Sequence, residues 1–195
     1  MPSLVTPAIA PGSLAAWKQP VLVREHVTLR PWATDDVPAL VAAYGEPDIQ
    51  QWHARSMTPA EAEAWVAEAN AAWRAETTAS WAVEVADELA GRITLRLDLP
   101  EGCADAAYWT RAAHRGHGVA SSALLATAEW AASAGFRRIQ LEHSTRNPAS
   151  CRVAERTGFT AEGTRRDGAL HADGWHDMHG HARITGAPPP APLCR

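Results

Sequence analysis

The sequence predicts a mixed α/β domain with one β-sheet flanked by helices. Apolar residues recur with helical spacing in some segments and alternate strictly in others, which indicates helices interspersed with strands. The chain has 195 residues, of which 46% are hydrophobic and 21% are charged. A chain of this size buries roughly 70% of its extended surface, so a core can form without disulfide or metal staples. We expect the order β-α-α-β-β-β-α-β-α-β-β.

Proline-rich segments bound the predicted domain. Residues 1–19 contain Pro7 and Pro11 and have no cationic start, so we expect a flexible leader and not a signal peptide. Residues 187–195 are dense in proline and are expected to form a disordered tail. A single domain is therefore predicted over residues 20–186.

Charge and cysteine content exclude several classes of protein. A formal net charge of −4 leaves no basic surplus for nucleic acid. No apolar run has the length of a membrane span. The three cysteines, Cys103, Cys151 and Cys194, have no C-x-x-C spacing and are odd in number, which favours a reducing compartment. We expect a cytoplasmic protein without nucleic-acid or membrane partners.

The first elements are a strand and two helices. A strand is predicted over residues 21–30, where apolar and polar residues alternate. A helix is predicted to begin at a Thr34 cap and to end at Gly45. A second helix follows Thr58, because Thr58 and Glu61 have the spacing of a capping box. These elements account for the β-α-α start of the predicted order.

The rest of the domain alternates strands and helices. Alternating residues at 81–85 and 93–99 predict an antiparallel hairpin with its turn at Asp87–Glu88. A short strand and an apolar helix are expected at 105–110 and 116–134. The remaining elements are a strand at 138–142, a helix at 148–157, and closing strands at 159–166 and 174–185.

One loop carries a possible anion site. Arg115, Gly116, His117 and Gly118 lie between a predicted strand and a predicted helix. Glycines there let backbone N–H groups turn inward, and a helix N-terminus adds partial positive charge, so the loop can cradle a pyrophosphate. The lysine and serine of a P-loop are absent, as is the three-glycine dinucleotide pattern. A plain strand-to-helix turn remains the alternative.

A second motif completes a family resemblance. Asn147 caps a predicted helix that Gly158 ends. The stretches YW-x₅-RGHGVA, from Tyr108, and NPAS-x-RVAERTGF, from Asn147, are followed by AEGTRRDG and GWHD. Together and at this separation they resemble the GNAT superfamily of acetyl-CoA-dependent N-acetyltransferases, and especially its RimJ/RimL-like branch. The resemblance covers about residues 20–185.

The resemblance implies a splayed sheet with acetyl-CoA in the gap between the strands that end near residues 110 and 142. It implies that Asn147 hydrogen-bonds the pantetheine amide and that Ser150 lies near the thioester sulfur. Main-chain groups of Trp109, Thr110 and Arg111 would pair with the pantetheine arm. The implied pyrophosphate ligands are the backbone N–H groups of Arg115, Gly116, His117, Gly118, Val119 and Ala120.

The chain departs from the family at its proton donor. The tyrosine that often protonates the leaving thiolate falls at Ala154, which leaves Ser150 or water for this role. The candidate general bases are Asp105, which holds a position where relatives often have glutamate, and then Glu84, Glu142 and His143. Ser150 and Asp105 are therefore the predicted catalytic residues.

The expected reaction is direct acetyl transfer to a primary amine in a ternary complex. The acceptor stays open between a protein N-terminus, for example of a ribosomal protein, and a small amine. Trp52, Trp65 and Trp73 are either core residues or an aromatic acceptor pocket. The alternatives are a non-catalytic acyl-CoA-binding module, an enzyme for a longer acyl group, and a domain that dimerises through its 159–185 strands.

The nine histidines predict no metal site. His179 and His181 share one strand face, His176 lies on the other, and His114 and His117 flank the glycine loop. No third ligand follows at regular spacing, so no metal cofactor is expected.

Overall fold

The computed structural model describes residues 4–53 and 55–186 as an eight-stranded sheet with helices on both faces. Its helices are α1 (Val37–Tyr44), α2 (Pro47–His53), α3 (Pro59–Arg74), α4 (Val119–Ser133) and α5 (Pro148–Arg156). Its strands are β1 (Leu22–Arg24), β2 (Val27–Arg30), β3 (Thr78–Val85), β4 (Glu88–Asp98), β5 (Cys103–Thr110), β6 (Arg138–Ser144), β7 (Thr160–His171) and β8 (Gly174–Ile184).

The sheet has the order β1-β2-β3-β4-β5-β6-β8-β7. Strands β5 and β6 are parallel and pair from Cys103–Arg138 to Ala106–Leu141. Strand β5 then continues to Thr110 beside β4 alone. The sheet therefore splays open after Ala106, which confirms the predicted mixed, splayed α/β fold.

The early elements differ from the prediction in detail. The strand predicted over 21–30 is a hairpin, β1 and β2, which turns at Glu25 with a positive φ of 54°. A 3-10 turn leads into α1, and Asp36 rather than Thr34 binds the free backbone N–H of Ala33. Helix α2 is absent from the predicted order, because its only fully buried apolar residue is Ile49 and so it lacks a periodic stripe. The capping box of α3 at Thr58 is confirmed.

Two cores cover the two faces of the sheet. The larger packs α4 against the sheet and contains Trp81 and Phe136, both 0% exposed. The smaller packs α1 and α3 on the other face and contains Tyr44 and Trp109. Trp73 belongs to the larger core. The two cores hold β5 from both sides, so the strand that borders the gap is fixed in place.

The segment expected to be a flexible leader packs against the domain. Ile9 and Leu14 are buried in the larger core. The Ile9 amide donates to the Leu99 carbonyl at 3.1 Å. The Glu76 carboxylate accepts the backbone N–H groups of Gly12, Leu14 and Ala15 at 2.5, 2.6 and 2.9 Å. The apolar residues between the prolines therefore act as core residues. The expected tail, 187–195, lies outside the described residues.

Among the helices of the described residues, none is long and apolar enough to cross a membrane.

Candidate functional site

A cleft of about 280 Å³ lies where β5 and β6 diverge. Helix α2, the end of β5, the start of α4 and the start of α5 form its walls. The sequence-predicted site residues that line it are Trp109, Thr110, Arg115, Gly116, Gly118, Val119, Ala120, Asn147 and Ser150. The structure thus brings two motifs that are about 30 residues apart in sequence to one cavity.

The glycine loop leaves backbone donors at one end of the cleft. Gly116 and Gly118 have positive φ values of 81° and 80°, and Gly118 is the N-cap of α4. The first intrahelical bond is donated by the Ser122 amide to the Gly118 carbonyl, so the earlier amides of the helix have no partner within it. A Cβ on Gly116 would meet nothing within 4 Å. This open loop at a helix N-terminus suits an anion.

Side chains around the loop are tied to other elements. The Arg115 guanidinium donates to the Thr110 carbonyl at 2.9 Å and pairs with Asp48 at 2.5 Å. Arg111 pairs with Glu46 at 2.8 Å. Neither Arg111 nor the exposed His117 is among the lining residues. Their side chains therefore stabilise the loop or face solvent. The Arg111 amide donates to the Ala90 carbonyl and its carbonyl accepts the His114 amide, so of these two residues only His117 keeps its backbone amide as a candidate ligand.

The end of β5 offers a free main-chain edge. Residues 107–110 pair with β4 on one side, and no strand of the described chain pairs with them on the other. The Trp109 ring is 5% exposed and packs edge-on against Tyr44 with centroids 5.8 Å apart. An extended ligand arm can add to this edge as a strand would.

Ser150 lies at the middle of the cleft, where a hydroxyl pair joins β5 to α5. The Asn147 side chain caps α5 by accepting the Ser150 amide at 3.1 Å. The hydroxyl oxygens of Ser150 and Tyr108 are 2.8 Å apart. Burial raises the pKa of Tyr108 to about 12, so its phenol stays protonated. Ala154, in contrast, is fully buried in the core.

Tyr108 was not predicted as a functional residue. Tyr108 begins the stretch YW-x₅-RGHGVA that contributes to the family resemblance, and the resemblance assigns its phenol no role. Tyr108 lies two residues before the end of β5, in the part of the strand that borders the gap. A tyrosine at such a strand end indicates a hydroxyl at the gap.

A second chamber of about 110 Å³ adjoins the cleft beyond Ser150. It shares Trp52, His53, Tyr108, Asn147 and Ser150 with the cleft and adds Ala106, Ala107, Glu142, His143, Ser144, His171 and Met178. Among these lining residues Glu142 is the only carboxylate, and it pairs with Arg165 at 2.6 Å. An opening lined by polar groups next to Ser150 suits a second substrate.

Two of the four candidate bases lie away from both chambers. The Asp105 carboxylate accepts a bond from the Gln140 amide at 2.7 Å and lines neither cavity. Asp105 lies in the part of β5 that still pairs with β6, opposite Gln140 and before the gap opens, so the structure does not bring Asp105 to Ser150. Glu84 pairs with Arg30 at 2.8 Å and likewise lines neither cavity. Glu142 and His143 are the candidates that line the second chamber.

Of the three early tryptophans, Trp52 lines the cavities. Its ring lies edge-on to His171 and His176, with centroids 6.0 and 6.4 Å away. The adjacent His53 is neutral, because burial, and then the charge of Arg92, lower its pKa to about 4. Trp65 and Trp73 pack with the two cores and line neither cavity. The wall at α2 is therefore apolar and uncharged where it meets Tyr108.

Four possible metal ligands meet beneath α5. The sequence offered His179 and His181 on one face of β8, and the structure adds His143 from β6 and Cys151 from α5. Their ligand atoms all lie within 4.8 Å of one another. These four residues have no regular spacing in the sequence, because they lie on three different elements: β6, β8 and α5.

Comparison with known proteins identifies relatives. The acetyltransferase (GNAT) domain family matches residues 26–160. The ribosomal-protein-serine acetyltransferase of Escherichia coli (strain K12) is 35% identical over 100 residues, which cover 50% of this chain and 56% of that protein. The chain thus matches about half the length of this curated relative.

Solved structures share the fold. A RimL ribosomal-protein α-N-acetyltransferase in complex with coenzyme A has a TM-score of 0.79 at 24% identity, covering 85% of this chain and 98% of that one. Mycobacterium smegmatis RimJ has a TM-score of 0.76 at 21% identity, covering 85% of each chain. The self-immunity acetyltransferase MccE, in complex with acetyl-CoA and AMP, has a TM-score of 0.76 at 18% identity, covering 83% of this chain and 93% of that one.

Proposed function

This chain belongs to the acetyltransferase (GNAT) domain family, and we propose that it transfers the acetyl group of acetyl-CoA to the α-amino group of a protein N-terminus. The observation that supports this proposal is the arrangement of groups along the cleft. One end has an open glycine loop at a helix N-terminus, and the middle has a free strand edge facing a hydroxyl pair. A pyrophosphate, an extended amide arm and a thioester need these three features in this order.

The cofactor is held mainly by backbone groups. Amides from Gly116 to Ala120 bind the pyrophosphate, helped by the dipole of α4, whereas the Arg115 amide already donates to the Ala112 carbonyl. The pantetheine arm adds to the edge of β5 that no strand covers, beside Trp109 and Thr110; the Thr110 amide lies on that side, while its carbonyl accepts from Arg115. The Asn147 side chain already caps α5 through its oxygen, so its amide nitrogen remains to donate to the pantetheine carbonyl. The thioester then lies beside Ser150.

The residues of the chain supply a proton when the thiolate leaves. The amine nitrogen attacks the thioester carbonyl, a C–N bond forms, the C–S bond breaks, and the electron pair stays on sulfur. Ser150 gives its proton to the sulfur and takes one from the Tyr108 phenol 2.8 Å away. The proton lost by the amine passes through water to solvent, and the phenol regains one. Acetyl-CoA supplies the activated acyl group when bound.

The second chamber supports an N-terminal amine as the acceptor. An α-amino group has a pKa of about 7.7–8.0 and is partly neutral at pH 7, so it needs no strong base, whereas a lysine at about 10.4 does. Glu142 at the chamber wall attracts the ammonium group, whose proton passes through water to solvent. The similarity to the ribosomal-protein-serine acetyltransferase adds support for a protein acceptor. Protein N-termini of this kind are present in the cytoplasm, and we propose that the protein acts there.

The test is CoA thiol release with a matched set of amines. A short peptide with an N-terminal serine is compared with the same peptide blocked at its N-terminus and carrying an internal lysine, and with a polyamine. We expect rapid release with the first substrate only. Equal rates with the polyamine would overturn the protein acceptor. No release with any amine, despite thermal stabilisation by acetyl-CoA, would favour a binding module, and faster release from butyryl-CoA would favour a longer acyl group.

A further inference from the structure

The cluster of possible metal ligands beneath α5 supports an inference that goes beyond acetyl transfer. His143 on β6, His179 and His181 on β8, and Cys151 on α5 have ligand atoms within 4.8 Å of one another. His143 and His181 are 6% and 2% exposed, and the other two are half-buried. A tetrahedral zinc site needs ligand atoms about 3.3–3.6 Å apart. The four atoms, all within 4.8 Å of one another, would have to move closer by up to about 1 Å to bind one ion, and the half-buried Cys151 and His179 lie on the side nearer to solvent.

Hydrogen bonding orients the ring of His143 for a cation. Its Nδ1 is 2.9 Å from the Ser144 carbonyl oxygen. A carbonyl only accepts, so Nδ1 carries the proton and Nε2 presents its lone pair to the cluster. A metal-bound histidine commonly has this second bond, which fixes the tautomer. His143 is thus held in the form that binds a metal.

His181 is the second, independent observation. Its Nε2 lies 3.1 Å from the Nε2 of His143, and its buried Nδ1 has the Phe159 backbone as a neighbour, without a well-formed hydrogen bond. If Nε2 donates to His143, the buried Nδ1 acceptor stays unsatisfied. If instead Nδ1 carries the proton and directs it to the Phe159 carbonyl, the two Nε2 lone pairs face each other at 3.1 Å. A cation between the rings removes the repulsion in the second arrangement, because both Nε2 atoms then bind it.

We propose that His143, Cys151, His179 and His181 form a binding site for a divalent transition metal such as Zn²⁺. Three imidazoles and one thiol match the ligands that such ions prefer, while Mg²⁺ and Ca²⁺ prefer oxygen. Glu155, whose carboxylate is 3.8 Å from the Cys151 sulfur, offsets the remaining positive charge of a thiolate-bound ion. The bound ion would tie α5 to β6 and β8 directly beneath Ser150.

The experiment uses Co²⁺ as a spectroscopic probe of the purified, tag-free protein after chelator treatment. Cys103→Ser and Cys194→Ser are introduced first, so that any thiolate charge-transfer band can come only from Cys151. We expect one equivalent of Co²⁺ to give visible bands of tetrahedral intensity and a near-ultraviolet thiolate band. Zn²⁺ should displace it, and Mg²⁺ should not. Weak octahedral bands, or none, would overturn the proposal.

Variants in the same background assign the ligands. Cys151→Ser should abolish the thiolate band, and His179→Asn should weaken Co²⁺ binding roughly tenfold or more. Thermal melts without metal check that each variant is folded. If Cys151→Ser fails to fold, His179→Asn at its half-buried position still decides the outcome. Unchanged bands and affinity in a folded variant would exclude that residue as a ligand. None of these measurements depends on acetyl transfer. A negative result would therefore reject the metal site without contradicting the proposed activity.

Discussion

The Tyr108 hydroxyl lies 2.8 Å from the Ser150 hydroxyl and connects β5 to α5 across the cleft. The pair replaces the tyrosine that the family resemblance would put at Ala154, which is buried in the core. Because burial raises the pKa of Tyr108 to about 12, its phenol is protonated near neutral pH and can donate a hydrogen bond to Ser150. In the proposed mechanism the proton source is therefore a pair, with Ser150 on α5 and Tyr108 on the neighbouring strand.

Tyr108→Phe should lower kcat by roughly 10²-fold, since general acid catalysis contributes about 10²–10⁴-fold. The KM for acetyl-CoA should change little, because the phenol contacts Ser150 and no residue of the glycine loop. Steady-state kinetics with saturating peptide measures both parameters. Ser150→Ala and the double variant serve as comparison. If the two residues act as one relay, the double variant is hardly slower than either single one, and additive losses would contradict the relay.

Gly116→Glu should weaken acetyl-CoA binding strongly, because the new carboxylate lies where the pyrophosphate binds. The side chain meets nothing within 4 Å of its Cβ, so it has room in the folded protein. Gly116→Ala is the matched control, since it introduces the same strain at a φ of 81° without charge. Calorimetric titration with acetyl-CoA measures the difference. Equal affinities for the two variants would remove the loop as the pyrophosphate site.

Stability should fall on acidification because of His53. Burial lowers its folded-state pKa to about 4, against about 6.5 in the unfolded chain. The unfolded state then binds the extra proton first, so this stabilisation is full above about pH 6.5 and is lost as the pH falls toward 4. The whole difference corresponds to about 3 kcal/mol. Urea unfolding at several pH values measures it.

His53→Gln should flatten that pH dependence, whereas His26→Gln, at an exposed position, should leave it as in the parent. An unchanged slope in His53→Gln would assign the pH dependence to other groups. His143 and His181 act in the same direction, since burial lowers the pKa of each. The slope should therefore decrease without vanishing.

Glu76→Ala should release residues 8–17 from the domain. The variant removes the acceptor of three backbone N–H groups, and we expect a loss of about 1–3 kcal/mol in the free energy of unfolding. Limited proteolysis should then cut near Gly12. Glu63→Ala, an exposed glutamate on α3, is the control. Equal protease resistance of the two variants would show that Ile9 and Leu14 hold the segment without Glu76.

Much of the fold was predictable because local patterns agree with it. The capping box at Thr58 and the alternation around Ile93 both report burial on one face, which is a local property of the chain. Helix α2 and the β1–β2 hairpin were missed because each is too short to show a period. The packing of the N-terminal segment is not predictable from its composition, because Pro7 and Pro11 are typical of a flexible leader while the burial of Ile9 depends on residues distant in sequence.

The sequence by itself determined the family, the glycine loop, the caps of α3 and α5, and most strands, because these depend on residues close together in the chain. Only the tertiary structure decided which side chains meet. It placed Asp105 against Gln140 in the closed part of the sheet, away from Ser150, and it brought Tyr108 to Ser150 and Cys151 to His143. Contacts between elements depend on how β5 and β6 diverge and where α5 packs, and no local spacing encodes that geometry.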